Sequence, residues 1–155
     1  MAVSSMVERV AIIAEARSWI GTPYHHQASI KGVGCDCLGL VRGVWRVIYG
    51  EEPETPPPYS RDWAEAARRE TLADAAGRHM TPVALADMQP GDVLLFALNE
   101  RAPAKHCGIL SEPERMVHSY ESHPVAEVSL SSWWRRRIRF VFCFPEFHEA
   151  RSLAN

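Results

Sequence analysis

The sequence contains no apolar stretch near the roughly 20 residues that a membrane-spanning helix requires, so no membrane insertion is expected. It also lacks an excess of either charge. Its 17 Lys and Arg against 19 Asp and Glu leave a formal net charge of −2 with the seven histidines neutral. Such a balance gives no global positive field, and no nucleic-acid partner is expected. Cysteine is scarce, occurring at residues 35, 37, 107 and 143. That is too few, too close-set, for a disulfide scaffold, and reduced thiols are the default. There is no internal repeat, and the only biased segment is the proline run 56–58, a rigid connector. The opening MAVSSMVERVAIIAEARSWIG breaks its apolar residues with Glu8, Arg9, Glu15 and Arg17, which does not read as a secretory signal. The chain is therefore expected to be made in the cytoplasm.

What is present is an ordinary globular composition, 46% hydrophobic and 23% charged over 155 residues, enough for one domain spanning 1–155. Ser5 and Glu8 match a capping box, predicting a first helix with Val10, Ile13 and Ile20 on its apolar face and Gly21 at its end. Residues 21–36 carry four Gly or Pro and no period, and read as a loop. A second helix is predicted over Cys37 to Tyr49, N-capped by Asp36, with Gly50 past its end, and mostly buried. Asp62 and Glu65 are read as opening a third helix that runs to about Ala76. From Gln89 the period becomes that of strands: QPGDVLLFAL, KHCGIL, RMVHSY, PVAEVSLS and WWRRRIRFVFCF. Helices followed by strands imply an α+β domain in which N-terminal helices pack on an antiparallel sheet of about five strands.

The stretch GVGCDCLGL, residues 32–40, sets Cys37 in the first turn of a buried helix, where unpaired N–H groups and the positive dipole end favour a thiolate. Cys35 lacks that help. A thiolate nucleophile needs a base, and hairpin pairing about Glu112 would set His106 opposite His118 on one face, with the helix N-terminus packed there. One imidazole could then take the Cys37 proton while the other orients it. Alternatives remain at each point. Cys37 could be a small core residue. Cys35, Cys37 and the two histidines could ligate zinc, although structural zinc sites favour C-x₂₋₄-C over C-x-C. Cys107 and Cys143 sit in apolar strand patterns and read as core.

Asp36-Cys37-Leu38-Gly39-Leu40, then His106-Cys107-Gly108-Ile109, then His118, resemble the NlpC family of cell-wall cysteine peptidases. GTPY at 21–24 and QPGD at 89–92 also resemble that family's runs, and the likeness covers about residues 8–145, leaving 146–155 as a tail. The resemblance implies a circularly permuted, papain-like NlpC-type fold that hydrolyses an amide in peptidoglycan stem peptides, commonly between D-glutamate and a diamino acid. It maps the nucleophile to Cys37, the base to His106, the orienting residue to His118 and a hydroxyl assisting the oxyanion to Tyr24. No metal or organic cofactor is implied. Leu38 replaces the family's usual serine, Cys107 replaces a valine, and the loop from Tyr24 to Cys37 is one residue longer.

The Asp-Cys-Leu-Gly-Leu version and the small size look most like peptidases of phage tails and gene transfer agents. That implies tail hub or tip proteins as partners and action in the cell wall or periplasm, with delivery on a particle. A thiol acyltransferase or amidase of the same fold, and a tail-tip structural protein without turnover, are the alternatives. In WWRRRIRF, strand alternation would put Arg135, Arg137 and Arg139 on one face, as a charged sheet edge or a grip for carboxylates or a partner, beside an exposed tryptophan pair.

Overall fold

The computed structural model describes residues 3–54, 56 and 70–146, with side chains from Glu8 onward. Helix α1 is Val3–Ser18, α2 Cys37–Tyr49, α3 Thr71–His79 and α4 a single turn, Ser132–Arg135. The strands are β1 Ser29–Ile30, β2 Gly34–Cys35, β3 Thr81–Val83, β4 Val93–Phe96, β5 His106–Glu112, β6 Arg115–His118, β7 Ala126–Ser129 and β8 Ile138–Cys143. β1 and β2 form a small hairpin inside the loop predicted for 21–36, and the other six make one sheet in the order β3-β8-β4-β5-β6-β7. Every pairing in that sheet is antiparallel, and the domain is α+β.

Strand β4, VLLF, is buried on both faces and separates two cores. Val93 and Leu95 pack with Cys107, Ile109 and Val117 against Ile12 and Ala16 of α1, Trp19 just past its end, and Leu40, Val44 and Trp45 of α2. Leu94 and Phe96 close a second cluster with Leu110, Met116, Leu130, Ile138 and Val141. Each such fully buried side chain is worth roughly 1.5–3 kcal/mol of transfer free energy.

Two close approaches fix α2. A Cβ on Gly43 would fall 2.0 Å from the Trp19 ring, and one on Gly39 would fall 1.9 Å from the Ala28 carbonyl oxygen. Glycine at these positions lets α1 and the 21–36 loop lie directly on the helix. The turn QPGD is held from α1: Arg9 donates to the wholly buried Asp92 carboxylate at 2.8 Å and to the Pro90 carbonyl. Gly91 supplies the positive φ of 101° that this turn needs.

Several expectations change. α1 begins at Val3, so Ser5 and Glu8 lie inside it rather than at its start. Its buried stripe is Ile12 and Ala16, continued by Trp19 in the turn after it, whereas Val10 is 67% exposed and Ile20, also past its end, 47%. α3 starts only at Thr71, after a non-helical Glu70, and runs past Ala76 to His79, so the helix expected from Asp62 does not continue unbroken to Ala76; its expected start at Asp62 lies outside the described residues. The sheet gains an edge strand, β3, whose Pro82 hides the signal; an edge tolerates the missing donor. WWRRRIRFVFCF is not one strand. The Ser131 hydroxyl accepts from Trp134 N and caps the turn α4, and β8 starts only at Ile138.

The three arginines consequently share no strand face. Arg135 donates to the Pro113 carbonyl, the Arg137 guanidinium sits 3.7 Å from the Trp133 ring centre, and Arg139 pairs with Glu70 at 3.0 Å.

Candidate active site

Asp36 builds the site from its backbone outward. It is 3% exposed, and its two carboxylate oxygens are divided. Oδ1 accepts from Gly39 N at 2.7 Å, capping α2, and Oδ2 accepts from Gln27 N at 2.8 Å, holding the loop. Gln27 takes a left-handed φ of 65° in making that bond. The His26 ring lies 4.0 Å from the same oxygen. Cys37 is thereby set at the first position of α2, with its sulfur 3.9 Å from the Lys105 carbonyl oxygen at the entry to β5.

The histidines arrive by a register other than the one expected. Ile109 pairs with Val117 and Leu110 with Met116, across a two-residue turn at Pro113–Glu114 and an irregularity at Leu110 to Glu112. His106 and His118 are therefore diagonal neighbours rather than directly opposed. Their even separation still puts them on one face, where His106 Nε2 meets His118 Nδ1 at 2.9 Å. Gly108 makes room: a Cβ there would lie 3.2 Å from that of His118.

The helix, in turn, does not pack on the histidine face. His106 pairs across from Phe96 on the second-cluster side, while α2 covers the side of Leu95 and Cys107. Cys37 sits at the end of β5, where its sulfur reaches both. A hydrogen bond with the buried Cys107 thiol is the largest influence holding the Cys37 thiol down to about 5; burial opposes it, and a hydrogen bond and charge from His106 add to it. Cys107 is correspondingly pushed well up, first by that bond and then by burial. With His106 Nε2 committed to His118, Nδ1 is the nitrogen left for the sulfur. Burial first, then the charge of His106, lowers His118 to about 3, so it stays neutral; in the tautomer protonated at Nε2 it accepts through Nδ1.

Tyr24, Cys37 and His106 line one cleft of about 120 Å³ together with His26, Leu38, Lys105, Ser119 and Tyr120. The Tyr24 backbone bridges Cys35, whose carbonyl accepts from His25 N and from the Ser119 hydroxyl. Cys35 is completely buried, and burial raises its thiol to about 11. The C-x-C pair thus divides into a sulfur at the cleft and a sulfur in the core. Among the described residues no three His, Cys, Asp or Glu side chains converge as a metal site.

The profile of the NlpC/P60 family matches residues 21–141, most of the chain. This chain belongs to the NlpC/P60 family. A probable endopeptidase of Mycobacterium tuberculosis is 33% identical over 112 residues, covering 72% of this chain and 23% of that protein. The gamma-DL-glutamyl hydrolase of Bacillus subtilis is 27% identical over 130 residues, covering 83% and 28%. The chain thus spans about a quarter of these relatives' length. The NlpC/p60 domain of the peptidoglycan hydrolase SagA superposes with a TM-score of 0.62 at 21% identity, over 88% of this chain and 98% of that one. RipB of Mycobacterium tuberculosis superposes at 0.61 and 18%, over 92% and 67%. The fold is that of NlpC/P60 domains.

Two residues of this NlpC/P60 site escape the sequence patterns. Trp134 packs within 5.2–5.4 Å, ring centre to ring centre, of His118, His106 and Tyr120, walling the dyad from the side opposite α2. It reads as exposed only while WWRRR is taken for a strand; the Ser131 cap is the signal that places it. Cys107 reads as plain core, and only the end-on position of Cys37 brings the two thiols together.

Neutral His118 predicts a pH signature. An unfolded-state histidine takes up a proton as pH falls through 6.5, whereas this one resists until about 3, so the unfolded state binds more protons between those values and stability is lost on acidification. Urea unfolding at about pH 7 and about pH 4.5 should therefore show wild type losing on the order of 2 kcal/mol more than His118→Asn. Equal losses would mean that His118 is protonated in the folded protein.

Proposed function

We propose that this domain is a cysteine peptidase hydrolysing an amide bond in peptidoglycan stem peptides, with the bond from D-glutamate to the diamino acid as its target. The observation that carries this is the line of contacts from Cys37 through His106 to His118, with the sulfur held as a thiolate at the edge of a cleft. The names borne by relatives, a gamma-DL-glutamyl hydrolase and an endopeptidase, supply the substrate class.

In this mechanism the Cys37 thiolate attacks the carbonyl carbon, and the oxyanion is met by the N–H of Cys37, since Asp36 already occupies those of Gly39 and Leu40. The Tyr24 hydroxyl, on the same cleft, assists it. His106 gives its proton to the departing amine, leaving a thioester on Cys37. Water then attacks the thioester, with the same imidazole as base. His118 accepts from His106 Nε2–H throughout and fixes the tautomer that keeps Nδ1 toward the sulfur. The steps use these side chains and water alone.

Digestion of purified peptidoglycan, with fragments identified by mass, tests the activity and names the bond. Cys37→Ala and His106→Ala should each lower turnover by about 10³-fold or more with the fold kept. His118→Asn should retain more activity than His118→Ala, because an amide oxygen still accepts the imidazole N–H. Release of fragments by Cys37→Ala would remove the nucleophile assignment. An intact thioester passed to an amine rather than to water would identify an acyltransferase.

The domain acts, in this proposal, in the cell wall or periplasm from the tail hub or tip of a phage-like particle. Support comes from the Asp36-to-Leu40 form of the nucleophile motif. Particles carrying Cys37→Ala should assemble normally and enter walled cells poorly. Normal entry would show the peptidase dispensable there, and failed assembly would favour a structural role.

A further inference from the structure

β5 begins with two consecutive reactive side chains that point to opposite faces of the sheet: His106 toward Phe96 and Trp134, Cys107 toward α2. The Cys37 sulfur lies at that strand end, 3.9 Å from the Lys105 carbonyl oxygen, and Cys37 packs against the core cluster that holds Cys107, whose thiol and the His106 ring are its strongest side-chain influences. Cys107 is 1% exposed and does not line the Cys37 cleft. The largest influence on its thiol is the sulfur of Cys37. Cys35, although only two residues from Cys37 in sequence, is fully buried on β2 with Asp36 between them.

We infer that Cys37 and Cys107 form a reversible disulfide when Cys37 is oxidised by a hydroperoxide, which silences the enzyme and shields its nucleophile. In the first step the thiolate attacks the peroxide. An S–O bond forms, the O–O bond breaks, and the leaving oxygen departs with the electron pair and takes a proton; the sulfur is oxidised by two electrons and the peroxide reduced. In the second, the Cys107 sulfur attacks the Cys37 sulfur of the sulfenic acid. An S–S bond forms, the S–O bond breaks, and the hydroxide combines with the Cys107 proton as water.

The charge on Cys37 helps keep Cys107 protonated in the reduced enzyme. Conversion of Cys37 to a neutral sulfenic acid removes that like charge, leaving burial as the main influence against ionisation of the resolving thiol. A solvent-facing thiolate without such a partner proceeds to the sulfinic acid, which dithiols do not reverse. The inference rests on Cys37 being the reactive thiolate of the proposed peptidase.

The test uses the full chain, treated with hydrogen peroxide, capped with N-ethylmaleimide and mapped by mass after proteolysis. Wild type should yield one cross-linked pair joining the Cys37 and Cys107 peptides, lighter by two hydrogens, and most peptidoglycan-digesting activity should return on adding dithiothreitol. Cys107→Val should show Cys37 as sulfinic acid, with recovery, relative to its own starting rate, about fivefold or more below wild type. A link between Cys35 and Cys37, or unlinked sulfinic Cys37 in wild type, overturns the inference. If Cys107→Val does not fold, the wild-type map decides alone. A Cys37–Cys107 link in a protein that never digests peptidoglycan would sink the peptidase assignment and leave the disulfide standing; turnover without the link does the reverse.

Discussion

The site depends on one buried carboxylate serving two backbones. Asp36 gives one oxygen to the first turn of α2 and the other to the loop at Gln27, so the helix start and the cleft wall cannot move independently. Capping alone is worth about 1 kcal/mol. Here the same group also sets the position of the residue that follows it, the proposed nucleophile Cys37. Gly39, one turn into the helix, lets the Ala28 carbonyl come close enough for the loop to sit on that turn. The sequence Asp-Cys-x-Gly is therefore a geometric unit in which aspartate caps, cysteine projects and glycine admits the loop.

Around that unit the sheet divides its labour by face. The face under the helices is apolar and anchors α2; the other face carries the imidazoles, enclosed by Phe96, Tyr120 and Trp134. Enclosure is what keeps His118 neutral, and a neutral His118 protonated at Nε2 accepts at the nitrogen facing His106. The Cys37 sulfur at the strand end draws on both faces at once, a thiol from one and an imidazole from the other. This explains why Cys37 is held lower than a helix N-terminus by itself would suggest, since the largest contribution comes from Cys107.

The helix over Cys37 to Tyr49, with Asp36 before it and Gly50 after it, was readable because its boundaries are set by local chemistry: a cap, a glycine and an apolar run. The same is true of β4 to β7, where alternation and turn residues agree. The family and the fold were legible from four short motifs in order. Less legible were features decided by packing between distant segments. The buried stripe of α1 is chosen by where Trp19 meets Gly43, and nothing local distinguishes it from Val10 and Ile13. The hairpin register turns on an irregularity near Ser111, and a two-residue slip leaves the face unchanged while altering who stands opposite whom. Arginines spaced by two imitated a strand, although Ser131 had already started a helical turn.

The central claim is that Cys37 rests as a thiolate, charged before substrate arrives, because Cys107 and His106 meet it at one point. The direct measurement is the ultraviolet absorbance of the thiolate as a function of pH, taken as wild type minus Cys37→Ala. The account predicts a transition near pH 5, moved upward in Cys107→Val. A single transition at the ordinary thiol value of 9.0, unchanged by Cys107→Val, would contradict it.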